Sequence, residues 1–367
     1  MRGANMPIET WRATCIQMKS RLATTAGDRA AAWSIIKENL DRAVALVEAA
    51  CARADPPKVV VLPEFALQGP PHGGTVREWI DKGFYPIPGP ITAPLAKLAI
   101  RYGIYIAGNQ FEVDETWPGR FFNCCFLIDP KGEIVLRFRR INTASWPSPH
   151  DFMDAYFARY GIEGTFPVVE TELGRLAMLA CGEIAVPEVA RVFMMRGAEV
   201  ILHPTNEQES AAQEAAKVAR AAENMVYLVS ANVAGGIGFS ADGSVLGGRS
   251  QIIDYRGKRL AFDGGSEEST SVSAAIDVEA LRRARRETGM ANALLRGRWE
   301  MYRPFFARMA AYPGNHFLHT PMTDAAQTKA LAEAALRNLI EAGVVVEPEV
   351  DRDTRREAAA RETTTAS

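Results

Sequence analysis

One stretch limits what this chain can become: Arg175-Leu-Ala-Met-Leu-Ala-Cys181-Gly-Glu183-Ile-Ala-Val-Pro187-Glu188-Val-Ala-Arg191. Leu176 to Ala180 is a short apolar run, the pattern of a buried strand, and it stops at Cys181 and Gly182. Pro187 stands where the first turn of a helix tolerates proline, and Val189, Val192, Phe193 and Arg196 follow at helical spacing. A cysteine at a strand tip, on a tight turn before a helix, is held rigidly with its sulfur outward. The amide end of the helix also favours a thiolate there. The plainer reading is a buried cysteine serving as a small hydrophobe. The order strand, cysteine, glycine, acid, proline, helix favours the nucleophile.

A chain of 367 residues can bury a full core, as one large α/β domain or two smaller ones. Its net charge of −2, without a basic stripe, gives no footprint for a nucleic-acid backbone. No apolar run approaches twenty residues, so no membrane span is expected. Met1 to Thr14 carries no signal-peptide core, and five cysteines do not form a closed disulfide framework. A reduced, cytoplasmic enzyme is the expectation. No CxxC pair, HExxH or histidine cluster offers a metal site, and neither a metal nor an organic cofactor is expected.

Taken in order, Trp11 to Lys19 reads as a strand and Ala30 to Ala54 as a long amphipathic helix. Lys58 to Pro63 is a continuous apolar strand of the kind covered on both faces, and Glu64 stands directly at its end. Such a charge is a solvated loop carboxylate or, at a strand's C-terminal edge, a functional one. Gln68 to Ile91, rich in glycine and proline, reads as a long ordered loop. A helix follows over Thr92 to Tyr102. Strands over Ile104–Phe111, Phe121–Ile128 and Ile134–Phe138 come next, with a turn at Asp129 to Gly132 and with Arg139-Arg140 ending the last. Asn142 to Gly164 reads as irregular. Strands over 166–170, 176–180, 199–203 and 225–232 then alternate with helices over 186–197 and 207–224, and a late hairpin (250–255 with 259–262) and a strand over 271–276 close the set. Helices are expected over 278–286, 298–310 and 323–342, and the charged, threonine-rich 349–367 reads as a disordered tail. So many strands suit two packed sheets with helices outside better than one open sheet.

With Glu64, Arg140 and Cys181 each at a strand end, the chain resembles the nitrilase superfamily of carbon–nitrogen hydrolases over about Trp11 to Phe305. Leu62-Pro63-Glu64-Phe65 is similar to the family's glutamate motif, and Leu179-Ala-Cys181-Gly-Glu183 with Pro187, Glu188 and Arg191 to its cysteine motif. Gly197 to Asn206 and Arg220 to Asn232 are similar to its later signatures. The resemblance implies a four-layer αββα sandwich, an α/β fold. In that frame residues 1–10 are a lead, 11–310 the catalytic domain and 311–348 a helical extension. It implies homodimers or larger even homo-oligomers, a small-molecule substrate, and no nucleic-acid or membrane partner.

The implied chemistry is covalent. A thiolate from Cys181 attacks a carbonyl or nitrile carbon, Glu64 takes and returns the proton, and a cation holds the developing oxyanion. The family's cation is a lysine; Gly132 to Arg140 ends instead in Arg139-Arg140, and Arg140 occupies that position. Arg140 then serves as the oxyanion cation, binds a substrate carboxylate, or marks a centre that no longer turns over. Asp154 falls near the family's second glutamate, while Asp151 and Glu163 read as plain loop acids. Trp146, Phe152, Tyr156 and Phe157 either line a substrate site or pack the loop. Glu183 matches an acidic family position that orients the turn. His203 and Asn206 touch substrate or make structural hydrogen bonds. Gly182, where typical nitrilases carry tryptophan, favours an amide or N-carbamyl compound over a nitrile. The alternative is a nitrilase-fold protein that binds a ligand or partner without catalysis, and acyl transfer to an amine is a third.

Overall fold

The computed structural model describes residues 7–143, 146–236 and 247–348. The expected tail and residues 1–6 of the expected lead lie outside them. The first half runs β1 (Trp11–Cys15), α1 (Arg29–Cys51), β2 (Val59–Val61), α2 (Val76–Gly83), α3 (Thr92–Tyr102), β3 (Tyr105–Glu112), β4 (Phe122–Ile128) and β5 (Ile134–Arg139). The second half runs α4 (Met153–Thr165), β6 (Val169–Thr171), β7 (Gly174–Met178), α5 (Pro187–Met195), β8 (Val200–Thr205), α6 (Ala211–Asn224) and β9 (Tyr227–Asn232). It closes with β10 (Gln251–Ile253), β11 (Arg259–Phe262), β12 (Ser273–Ile276), α7 (Val278–Arg286), α8 (Ala293–Arg296), α9 (Trp299–Phe306) and α10 (Gln327–Glu341).

Among the described residues these strands form two six-stranded sheets, ordered β12-β1-β2-β3-β4-β5 and β11-β10-β9-β8-β7-β6. Each has a parallel trio at its centre, β1-β2-β3 in one and β7-β8-β9 in the other, with antiparallel strands on both flanks. Strand periodicity divides the apolar residues between cores. Val59 and Val61 join Cys125, Leu127 and Phe138 between the sheets, whereas Val60, Cys124 and Phe126 pack beneath α1 and α3. Ala190 and Phe193 of α5 and Ala221 of α6 cover the second sheet. The expected αββα sandwich is the observed one.

Four expectations fail locally. Gln68 to Ile91 contains α2, which Thr75 and Glu78 start with a reciprocal capping box. Asn142 to Gly164 contains α4; Gly161, at φ 67°, kinks it and had broken the helical pattern in the sequence. β1 also stops at Cys15, and Gln17 makes only an isolated bridge to Ser269. The helix expected over 298–310 ends at Phe306 with Pro304 inside it. Residues 311–348 turn back onto the first half, where Phe317, Met322 and Leu331 join Phe65, Phe84, Phe111 and Phe121 in a third apolar cluster. Arg120 Nη2 ties this segment down through the carbonyls of Phe317 and Leu318 (2.5 and 3.2 Å).

Candidate active site

Parallel strands at the centre of a covered sheet end in loops on one edge, and side chains just beyond those ends converge. Glu64 follows β2 and Arg140 follows β5, while Cys181 follows β7 on the other sheet. The glutamate's backbone crosses the sandwich: Glu64 N–H donates to Thr205 O at the end of β8 (3.2 Å). Cys181 has φ 43° and Phe65 φ 59°, a left-handed conformation rare for residues with a side chain and concentrated at functional sites.

Glu64 is fully buried, and its Oε1 accepts from Asn123 Nδ2 (2.8 Å) and from Arg140 Nη1 (3.2 Å). Arg140 is fixed twice more, by its N–H on Asn123 O (2.8 Å) and its Nε on Asn142 O (3.0 Å). The Cys181 thiol donates to Asn206 O (3.6 Å). Burial pushes the Glu64 carboxyl up, opposed by the Arg140 charge and the Asn123 amide. Burial, together with the negative charge of Glu64, pushes the Cys181 thiol up to about 12, with Arg140 opposing. Both effects favour the thiol form of Cys181, against the pull toward a thiolate expected from a helix terminus. A short turn over Cys181–Ala185 separates it from α5, so the helix's amide end begins only at Pro187.

Glu183 is buried with Oε1 accepting from Ile141 N (2.9 Å), Asn142 N (3.1 Å) and Asn142 Nδ2 (3.4 Å). It thereby pins the segment that holds Arg140. His203 bridges Cys181 O through Nε2 (3.0 Å) and Ser230 Oγ through Nδ1 (2.9 Å). A carbonyl only accepts, so Nε2 carries the proton and Nδ1 accepts from the serine. Burial pushes the imidazole down to about 3, so it is neutral. Asn206 supplies its carbonyl to the thiol, and Trp146 packs edge-on against Phe65 and Phe111.

Two predicted residues stand elsewhere. Asp154 is exposed in the first turn of α4, its N–H taken by Asn315 Oδ1 (2.9 Å). It is correctly described as a surface helix acid, because α4 replaces the loop that was to bring it inward. Tyr156 is buried among Trp117, Phe122, Phe152 and Tyr160, beside the Arg139 guanidinium, where it packs α4 onto the first sheet. Phe157 is exposed.

Sequence reasoning missed Asn123, which orients both Glu64 and Arg140. Its signal was a polar amide inside the buried run of β4. It also missed Glu207, a buried carboxylate that pairs with the buried Lys217 of α6 and whose own negative charge adds to the upward push on the Cys181 thiol. A cavity of about 210 Å³ opens beside Asn142, lined also by Ile141, Thr143, Ser148, His150, Asp151 and Tyr312. Among the described residues no three His, Cys, Asp or Glu side chains are grouped to hold a metal, and all five cysteines are free thiols.

A buried carboxylate, a guanidinium and a half-buried thiol thus meet in one site. The model of one protein family, described as carbon-nitrogen hydrolase, matches residues 12–286. Omega-amidase NIT2 of Xenopus tropicalis is 28% identical over 253 residues, 68% of this chain and 87% of that protein. The (R)-stereoselective amidase of a Pseudomonas species is 28% identical over 252 residues, 68% of this chain and 82% of its own. A crystal structure of a carbon–nitrogen hydrolase from Helicobacter pylori G27 covers 82% of this chain and 99% of its own, with a TM-score of 0.62 and 21% identity. An amidase from Nesterenkonia sp. AN1, in a glutamate-to-glutamine variant, covers 83% and 98% with a TM-score of 0.57 and 18% identity. That variant shows covalent addition of the acetamide moiety of fluoroacetamide at its active-site cysteine.

Proposed function

The chain belongs to the carbon–nitrogen hydrolase family, and from that premise we propose that it hydrolyses the C–N bond of a small amide or N-carbamyl compound through an acyl-enzyme on Cys181. The observation that carries this reading is the Arg140–Glu64 ion pair of 3.2 Å, with the carboxylate fully buried, beside the half-buried thiol of Cys181. Glu64 takes the thiol proton as sulfur attacks the carbonyl carbon and returns it to the departing ammonia. It then draws a proton from the water that opens the thioester. Arg140 stabilises the oxyanion of both steps, with a charge that no change of pH removes. Asn123 and Glu183 hold the base and the cation in place. Relatives named as amidases support an amide over a nitrile. Trp146, His203 and Asn206 border the reacting groups.

The reading takes the protein as a cytoplasmic homodimer or larger even homo-oligomer. Its five unpaired cysteines and the exposed Met301, Tyr302, Phe305 and Phe306 on α9 support this. A ligand-binding protein with an inert centre is the second reading; it draws on the same ion pair, which occupies the base.

Purified protein is incubated with a panel of small primary amides, N-carbamyl amino acids and nitriles, and ammonia release is followed. Peptide mass spectrometry looks for an acyl adduct on Cys181 that Cys181→Ala lacks. Ammonia with that adduct supports the enzyme. Thermal stabilisation by a panel member without ammonia or adduct favours the binding protein.

A further inference from the structure

A methyl group built on Gly182 would lie 3.0 Å from Arg140 Nη2, and among the described residues, apart from the flanking ones and the backbone of the Cys181–Ala185 turn itself, no other atom comes within 4 Å. Gly182 does not use the left-handed backbone that would require glycine by itself. Among the described residues the neighbour that a side chain here would meet is therefore the guanidinium, and its hydrogen bonds limit its retreat. Its Nε is engaged by Asn142 O at 3.0 Å, its Nη1 by Glu64 Oε1 at 3.2 Å, and its backbone N–H by Asn123 O at 2.8 Å. Among the described residues no acceptor takes Nη2, so the nitrogen in the slot over Gly182 is the one left for a ligand.

We propose that Gly182 is a positioning residue matched to Arg140: its missing side chain is the slot in which the guanidinium stands beside Cys181. A planar fork presents three nitrogens at fixed angles, and two are already committed. A contact of 3.0 Å between carbon and nitrogen lies inside the separation of about 3.5 Å at which such atoms attract. Alanine at 182 presses on the fork, which has to yield by a few tenths of an ångström and so strains its bonds to Asn142 and Glu64. Lysine has one terminal nitrogen on a flexible stem and no Nη2, so the same methyl group does not obstruct it. The effect of a side chain at 182 is thus decided by residue 140. This inference rests on the reading of Arg140 as the site's cation.

Four proteins test it: wild type, Gly182→Ala, Arg140→Lys and the double variant. Each is treated with iodoacetamide at pH 7 to 9, with Cys181 followed by peptide mass spectrometry and Cys15, Cys51, Cys124 and Cys125 as internal references. Arg140 favours the Cys181 thiolate, so displacing it slows alkylation of that cysteine alone. The expected result is a loss of at least tenfold on Gly182→Ala in the arginine background and less than twofold in the lysine background. The double variant melts no lower than Arg140→Lys. Equal losses in both backgrounds, or none beside arginine, overturn the pairing. If Gly182→Ala does not fold, folding of the double variant supports the pairing and its failure overturns it. Should wild type release no ammonia from any amide, the proposed function falls while the alkylation cycle still decides the pair.

Discussion

Asn123 and Glu64 are joined by a 2.8 Å hydrogen bond, Nδ2 to Oε1, while the carbonyl of the same asparagine receives the N–H of Arg140 at 2.8 Å. One residue of β4 therefore sets base and cation at a fixed separation. Hydrogen bonds to charged groups contribute about 1.5–3 kcal/mol. Asn123→Leu removes the bond that opposes the upward push on the Glu64 carboxyl. The acid limb of the kcat/KM profile is expected to move to higher pH, with a loss of about tenfold at pH 6. An unmoved limb would show that Asn123 contributes packing alone.

Glu64→Gln separates two roles of the carboxylate. As the proposed base it takes part in turnover, and its loss is expected to lower kcat by about 10²–10⁴. As a charge it holds the Cys181 thiol up. With it gone and Arg140 still present, iodoacetamide should modify Cys181 faster at pH 8 than in wild type. Slower modification would mean that Glu64 draws the proton from the resting thiol more than it repels the thiolate.

Arg140→Met leaves Glu64 buried without its cation. Breaking a buried pair from one side costs about 3–5 kcal/mol. The cost depends on pH in a definite sense. The Glu64 carboxyl lies above its ordinary value in the folded protein, so the folded state binds the extra proton and stability falls as pH rises above about 4.5. The variant's deficit, measured by urea unfolding, should be large at pH 8 and shrink toward pH 4.5. A deficit that is constant with pH would place the loss in packing.

His203 works in the opposite direction. Its imidazole titrates at about 3 when folded and near 6.5 when unfolded, so the unfolded chain takes up the proton first. Stability from this group is complete above pH 6.5 and declines as pH falls toward 3, by about 1.4 kcal/mol per unit. His203→Gln can still donate to the Cys181 carbonyl. The difference in unfolding free energy between the two proteins should therefore narrow steadily from pH 6.5 to pH 4. A flat difference would count against a buried neutral imidazole.

That Glu64, Arg140 and Cys181 stand at strand ends was legible because each follows a strand whose apolar run announces its own end: Val59–Val61 before Glu64, Ile134–Arg139 before Arg140, and Gly174–Met178 before Cys181. The layers were legible for the same reason, since alternation within strands implies two covered faces. What failed was order inside segments broken by glycine and proline. Helix α4 hides behind Gly161, and it carries Asp154 outward and Tyr156 into a packed aromatic cluster. Helix α2 had a visible capping pair in Thr75 and Glu78, outweighed in the reading by its neighbours Gly73 and Gly74. Contacts between distant segments were out of reach of any local pattern. Nothing near Arg140 in the sequence points to Gly182, nor does Arg120 announce its hold on Phe317.

Arginine at position 140 also bears on the chemical safety of the acyl-enzyme proposed above. A thioester on Cys181 is an acyl donor to any neutral amine within reach, and a lysine beside it deprotonates for a fraction of the time. The guanidinium has no accessible neutral form and does not compete with water for the acyl group. The residue proposed to stabilise the charge beside Cys181 is thus one that such an intermediate cannot modify.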